Sequence, residues 1–121
     1  MSDTDIQSMT DAELSKAIMR EVWGWTPMST KGWWLDPDEN IRTAREATNP
    51  AVTVALLEWM TKHTYEVFVN RKDDGVYIVR VLMPKGHATV YTHADTLPRA
   101  VAEAALRVAR EYTQQKERND E

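Results

Sequence analysis

The chain has 121 residues, which is the size of one domain. It contains no cysteine, and this absence excludes disulfides, thiol nucleophiles and cysteine metal sites. Its formal charge of −4 argues against a broad basic field for nucleic-acid binding. No apolar stretch approaches the roughly 20 residues of a membrane span, and the polar start at 1–5 is unlike a signal peptide. We therefore expect a cytoplasmic protein without a membrane partner.

Sequence patterns at the start of the domain predict a helix. Residues 1–9 are expected to form a flexible N-terminal arm. Thr10 and Glu13 have the spacing of a capping box, which predicts that a helix begins here. The glycine of the Trp-Gly-Trp run at 23–25 predicts its end. The two tryptophans of this run either close the core or form a platform for a ligand.

In residues 26–49, proline, glycine and polar residues interrupt every periodic pattern of a helix or strand. Residues 31–35 favour an added strand, on which the adjacent Trp33 and Trp34 point to opposite faces. At most one of them enters the core from the same side of the sheet. The other is a surface aromatic, either for stacking on a base or sugar or for burial in a subunit contact. Residues 41–47 indicate one or two exposed helical turns.

The second half of the chain predicts a helix, a sheet and a final helix. Asn49 followed by Pro50 is a strong helix start. Three runs rich in β-branched and aromatic residues then follow at 65–70, 76–83 and 87–94, separated by an Asp-Gly turn and by the turn Pro84-Lys85-Gly86. They predict an antiparallel meander.

An alanine-rich helix beginning near Leu97 completes a single α+β domain over residues 10–112. Residues 113–121 are expected to form a polar C-terminal tail. Five tryptophans and a broadly apolar helix after Pro50 exceed what so small a core covers, which predicts a homo-oligomer.

Aromatic and cationic side chains are the candidates for a ligand site. Arg80 lies between two valines in mid-strand, where it either binds an anion or extends its charge past an apolar surface into water. A base takes an aromatic face and a phosphate takes a guanidinium, so this mixture suits a nucleotide-like ligand. The predicted ligand-binding residues are Trp33, Trp34, Arg80, Lys85, His87, Tyr91, Arg99 and Arg107.

Other chemistries lack a motif. His87 and His93 share a strand face, but six residues of strand separate them by roughly 20 Å, too far for one metal ion. No serine lies in a nucleophile-elbow pattern, and there is no glycine-rich phosphate loop. The sequence therefore predicts no catalytic residues, no metal and no cofactor.

The chain combines Trp-Gly-Trp at 23–25, the tryptophan-bearing segment 31–35, Ala-Leu-Leu-Glu-Trp-Met at 55–60, a hairpin-rich sheet, and an alanine-rich helix beginning near Leu-Pro-Arg-Ala at 97–100. Together these five features resemble the phage ABA-sandwich domain family, over residues 10–112. The resemblance implies a phage accessory protein built as a three-layer α/β/α sandwich, with a three- to four-stranded antiparallel sheet. It would act in the cytoplasm of the bacterial host.

Small phage proteins of this build are similar to anti-defence sponges, which sequester cyclic nucleotide or cyclic ADP-ribose immune signals. By this analogy we expect a homo-oligomer that binds such a signal without catalysis. The alternative is a protein-binding inhibitor or structural accessory in which the tryptophans contact another protein. A small nucleotide-processing enzyme is the third reading.

Overall fold

The structure, a computed structural model, describes residues 3–85 and 87–119. Gly86 of the second predicted turn, and the outermost residues of the predicted arm and tail, lie outside the described residues. The helices are α1 (Asp3–Gln7), α2 (Asp11–Ala17), which continues into a π-helical turn (Ile18–Val22), α3 (Pro50–His63) and α4 (Leu97–Asn119). The strands are β1 (Thr26–Pro27), β2 (Trp33–Leu35), β3 (Ile41–Thr43), β4 (Glu66–Arg71), β5 (Tyr77–Leu82) and β6 (Val90–Ala94).

Two antiparallel sheets organise the described chain. The main sheet has the order β4-β5-β6, with Phe68 opposite Arg80 and Arg80 opposite Tyr91. Gly75 turns β4 into β5 at a φ of 87°, a conformation that favours glycine. The predicted meander is therefore confirmed, with β4 displaced by one residue from its predicted run and with β5 and β6 shorter than theirs.

The helices pack on one face of the main sheet and enclose the core there. Val79 and Val81 of β5 are fully buried against α4, whose alanines allow a close approach. Thr92 of β6 donates its hydroxyl proton to the carbonyl oxygen of Ala100, 2.8 Å away. Because this hydrogen bond satisfies a buried hydroxyl, it fixes β6 on the helix. The predicted α+β fold, with helices packed on an antiparallel sheet, is confirmed.

The opposite face of the main sheet is left open by the described part of the chain. Alternate residues point there, so Arg80 is exposed, and Phe68 and Tyr91 are 37% and 47% exposed. The Arg80 guanidinium carbon lies 4.7 Å from the centroid of the Phe68 ring. The helix layer therefore lies on one face of the sheet, and the other face meets solvent.

A buried ion pair attaches the N-terminal segment to α4. Glu103 is only 3% exposed, and its Oε2 accepts a 2.7 Å hydrogen bond from Nε of Arg99. The remaining nitrogens of Arg99 donate to Asp11 and to the carbonyl oxygens of Ile6, Gln7 and Met9. Residues predicted to form a flexible arm thus include a short helix whose Ile6 side chain is buried.

The small sheet has the order β1-β2-β3 and begins after the π-helical turn and Gly24, whose φ is 71°. Trp33 pairs with Thr43 and Leu35 with Ile41. The prediction of helical turns at 41–47 is wrong, because residues 41–43 pair with β2 across a turn. The strand predicted at 31–35 is confirmed as β2, in the centre of this second sheet.

Replacing Arg99 with methionine tests the buried pair. The substitution keeps most of the aliphatic stem but leaves the Glu103 carboxylate buried without its cation, so we expect a loss of about 3–5 kcal/mol of unfolding free energy. Denaturant unfolding measures it. The double variant Arg99→Met/Glu103→Leu, which removes both charges, should recover part of the loss. A single variant as stable as the wild type would contradict this role.

Candidate functional site

The predicted ligand-binding residues do not converge on one site. Trp33 and Trp34 lie on β2 and line a cavity that none of the other six predicted residues lines. Arg80 and Tyr91 lie side by side on the open face of the main sheet. Lys85 is exposed in the connection between β5 and β6.

Three other predicted residues are engaged within the protein. The donors of Arg99 are used by Glu103 and the N-terminal segment, as described above. Arg107 donates through Nη1 to the carbonyl oxygen of Tyr91. Nδ1 of His87 lies 3.6 Å from a carboxylate oxygen of Glu111. We therefore leave these three out of the candidate site.

A cavity of about 650 Å³ lies between α2, the π-helical turn and the small sheet. We call it the tryptophan cleft. Its volume falls within the range of small-molecule sites, roughly 300–1,000 Å³. It is lined by Asp11, Ala12, Ser15, Lys16, Met19, Arg20, Pro27, Met28, Lys31, Gly32, Trp33, Trp34, Ala44, Arg45, Glu46 and Thr48.

The two tryptophans have different environments in this cleft. Trp34 is 5% exposed, whereas Trp33 is 44% exposed. The prediction that they point to opposite faces and that only one is buried is confirmed. The guanidinium carbon of Arg20 lies over the Trp34 ring, 5.8 Å from its centroid. Trp33 therefore offers an accessible ring surface in the lining of the cavity that Arg20 also lines.

Two contacts fix the cleft between distant parts of the chain. The Ser15 hydroxyl donates to the Asp11 carbonyl oxygen at 2.7 Å and accepts from the backbone N–H of Ala47 at 2.8 Å. The backbone N–H of Arg45 contacts the sulfur of Met19 at 3.4 Å. These contacts attach the segment after β3 to α2, so the walls of the cleft are set by packing.

The π-helical turn places Arg20 and Met19 in the cleft. In this turn the backbone N–H of Trp23 bonds to the carbonyl oxygen of Ile18, five residues back. Such turns insert an extra residue into a helix and occur often at functional sites. The extra residue changes which side chains face the small sheet.

The cleft is positively charged although the chain as a whole is not. Its lining contains four cationic side chains, Lys16, Arg20, Lys31 and Arg45, and two carboxylates, Asp11 and Glu46. The Asp11 carboxylate is bound to Arg99. None of the four cations forms a salt bridge within the part of the chain that the structure describes. The arrangement therefore suits an anionic ligand.

Patterns in the sequence group only two of these four cations. Lys16 and Arg20 are four residues apart, which helical spacing alone would place on one face. Lys31 and Arg45 reach the cleft only because β2 and β3 pair and the segment after β3 packs on α2. No local sequence pattern indicates that Lys31 and Arg45 line the same cleft as Lys16 and Arg20.

Asp36 sets the turn that brings β3 beside β2. Its carboxylate accepts hydrogen bonds from the backbone N–H groups of Asn40 and Asp38 and from Nε of Arg42, at 2.8, 3.0 and 2.9 Å. The Asn40 hydrogen bond contributes most, followed among the favourable contacts by Arg42, and together they hold the pKa of Asp36 below its ordinary value of 3.8.

The Asp36→Asn variant should therefore be less stable than the wild type at neutral pH. Because the folded-state pKa is lowered, the contribution of the carboxylate is fully present above pH 3.8 and is lost as pH falls through the folded-state value. Melting temperatures measured from pH 7 to pH 2 should converge for the two proteins at the acid end. Asp38→Asn, on the same turn, is the control. A constant difference across the range would show that ionisation of Asp36 is irrelevant.

Comparison with known proteins identifies a fold relative. No family model and no curated protein matches the chain. The structure is similar to the 2.0 Å crystal structure of a phage protein from Bacillus cereus, with a TM-score of 0.61 and 20% identity, covering 82% of this chain and 91% of the other. This likeness shows a shared fold. Membership of the phage ABA-sandwich domain family stays a prediction.

Among the residues that the structure describes, no helix is both long and apolar enough to cross a membrane. No cluster of three or more histidine, aspartate or glutamate side chains in this part of the chain has the arrangement of a metal site.

Proposed function

We propose that the protein is a phage accessory protein that binds an anionic, nucleotide-derived ligand in the tryptophan cleft and holds it without catalysis. The observation that carries the proposal is the half-exposed Trp33 ring in a cleft with four cations that have no salt bridge in the described chain. An indole face and several cations are the groups that a base and its phosphates bind.

In this proposal, the base and the phosphates of such a ligand each contact different side chains of the cleft. The base stacks on Trp33, which is the accessible ring. The phosphate oxygens accept hydrogen bonds from Arg20, which lies on the π-helical turn, and from Lys31, which lies in the turn before β2. The buried Trp34 holds Arg20 through a cation–π contact, so the guanidinium needs little ordering on binding.

Binding without catalysis fits the state of the reactive groups in the cleft. The Ser15 hydroxyl is engaged in two hydrogen bonds, and the Asp11 carboxylate is bound to Arg99. Neither is therefore placed as a nucleophile or a general base. The engagement of these two groups supports recognition and retention of a ligand rather than its conversion by Ser15 or Asp11.

The biological setting is supported by the fold relative, which is described as a phage protein. By analogy with phage proteins that sequester cyclic oligonucleotide or cyclic ADP-ribose immune signals, retention of such a molecule would counteract host anti-phage defence. The ligand class proposed from the cleft and the one implied by this analogy agree, since both contain bases and phosphates.

A ligand panel tests the proposal. The purified protein is incubated with mononucleotides, cyclic dinucleotides and cyclic ADP-ribose isomers, separated from free ligand, and heated to release what is bound. Recovery of intact ligand supports sequestration. Recovery of altered ligand would indicate an enzyme, and no retention of any compound would favour the alternative of a protein partner.

Two substitutions locate the binding site. Trp33→Ala removes an exposed ring and should weaken binding by about 1–3 kcal/mol, the usual contribution of base stacking. Arg20→Met keeps the stem and removes charged hydrogen bonds worth about 1.5–3 kcal/mol. Isothermal titration calorimetry measures both. Affinity of the wild type should also fall with salt more steeply than that of Arg20→Met.

Arg71→Met is the matched control, because the Arg71 guanidinium carbon also lies 5.8 Å from an aromatic centroid, that of Tyr77, outside the cleft. It should bind as the wild type does. Arg80→Met tests the open sheet face instead. Wild-type affinity in Trp33→Ala and Arg20→Met, with a loss in Arg80→Met, would move the site to that face.

A further inference from the structure

The open face of the main sheet carries more apolar surface than a solvated sheet face needs. Antiparallel sheets commonly place polar residues toward water. Here the side chains of Phe68 and Tyr91 are exposed, and those of Ile78 and Leu82 are half-buried beside them. Contiguous apolar groups of this kind mark contact surfaces.

Two charges on the same face form no salt bridge within the described chain. Glu66 and Arg80 lie one cross-strand pair apart, since Glu66 is opposite Leu82 and Phe68 is opposite Arg80. Neither forms a salt bridge among the described residues, and Arg80 contacts the Phe68 ring instead. The face thus presents one carboxylate and one guanidinium to whatever covers it.

We propose that this face binds a second copy of the chain across a two-fold axis. An axis lying in the interface, midway between Glu66 and Arg80, brings Glu66 of each copy opposite Arg80 of the other. Phe68 and Leu82 then lie beside the axis, where each meets its own copy. The face is therefore complementary to itself in both charge and hydrophobicity.

This occupant fits better than a nucleic acid. A single strand would stack on Phe68 and Tyr91 and bind Arg80, but it would also meet Glu66 and a chain of net charge −4. A second copy neutralises both charges of the face. It also covers the sheet on its open side, so that the two sheets stack between two outer layers of helices.

Sedimentation and light scattering give the first test. At micromolar concentration the wild type should have twice the chain mass of 13.9 kDa. A wild type that stays monomeric at high micromolar concentration would overturn the proposal, and so would a monomer that binds oligonucleotides through Arg80 and Tyr91.

A charge exchange between copies gives the decisive test. Arg80→Glu and Glu66→Arg each place like charges opposite one another, twice per dimer, and each variant should dimerise more than about tenfold more weakly. Mixed in equal amounts, the two variants should form a heterodimer, because each Glu66–Arg80 contact then joins opposite charges again. Circular dichroism checks that both exposed substitutions leave the fold intact.

The experiments on these variants distinguish a dimer interface from a contact within one chain. Dimers that persist in both single variants, or a mixture that remains monomeric, would overturn the interface. If Glu66 and Arg80 interacted only within one chain, mixing the Arg80→Glu and Glu66→Arg variants would not produce a heterodimer. Phe68→Thr, an exposed change that leaves the charges unaltered, should also weaken the dimer, and an unchanged dimer would contradict the proposal. None of these variants alters the tryptophan cleft, so ligand binding tests the proposed function independently.

Discussion

The buried ion pair between Arg99 and Glu103 is the constraint on which the arrangement of this protein depends. A carboxylate that is 3% exposed requires a cation and hydrogen bonds, and Arg99 supplies both from one turn further back on α4. The same guanidinium then binds carbonyl oxygens of residues 6, 7 and 9 and the Asp11 carboxylate. One side chain thereby joins the last helix to the start of α2.

The position of α2 in turn determines the tryptophan cleft. From Asp11 the helix leads to Ser15, which bonds to Ala47, and into the π-helical turn that carries Arg20 over Trp34. The small sheet forms the opposite wall, and its turn is held by Asp36. The cleft is therefore assembled from three separate stretches of the first 48 residues, 11–20, 27–34 and 44–48. Its cations come together in a protein of net negative charge, which is why an anionic ligand explains the arrangement best.

Local signals in the sequence predicted much of the fold. The capping box of Thr10 and Glu13 is present with both hydrogen bonds, and Asn49 caps α3 ahead of Pro50. Alternation on a strand correctly separated Trp33 from Trp34. These features succeed because each depends on residues within one turn or one strand of each other.

The features that sequence patterns did not show depend on contacts between residues that are distant in the chain. Residues 41–43 form a strand because β2 accepts them, and nothing in their own composition records that pairing. The sequence predicts Arg99 as a ligand-binding cation, while all of its acceptors except Glu103 lie about ninety residues earlier in the chain. The π-helical turn has no sequence signature, so the position of Arg20 above Trp34 could not be predicted from periodicity.

The central claim, that the tryptophan cleft is the ligand site, can be tested directly by nuclear magnetic resonance. The chain has five tryptophans, so an ¹⁵N-labelled sample shows the indole N–H signals of 23, 25, 33, 34 and 59 separately. On titration with the nucleotide-derived ligand retained best, the Trp33 signal should shift most, followed by Trp34, while that of Trp59 on α3 stays unchanged. Saturating binding that leaves Trp33 and Trp34 unshifted would contradict the account.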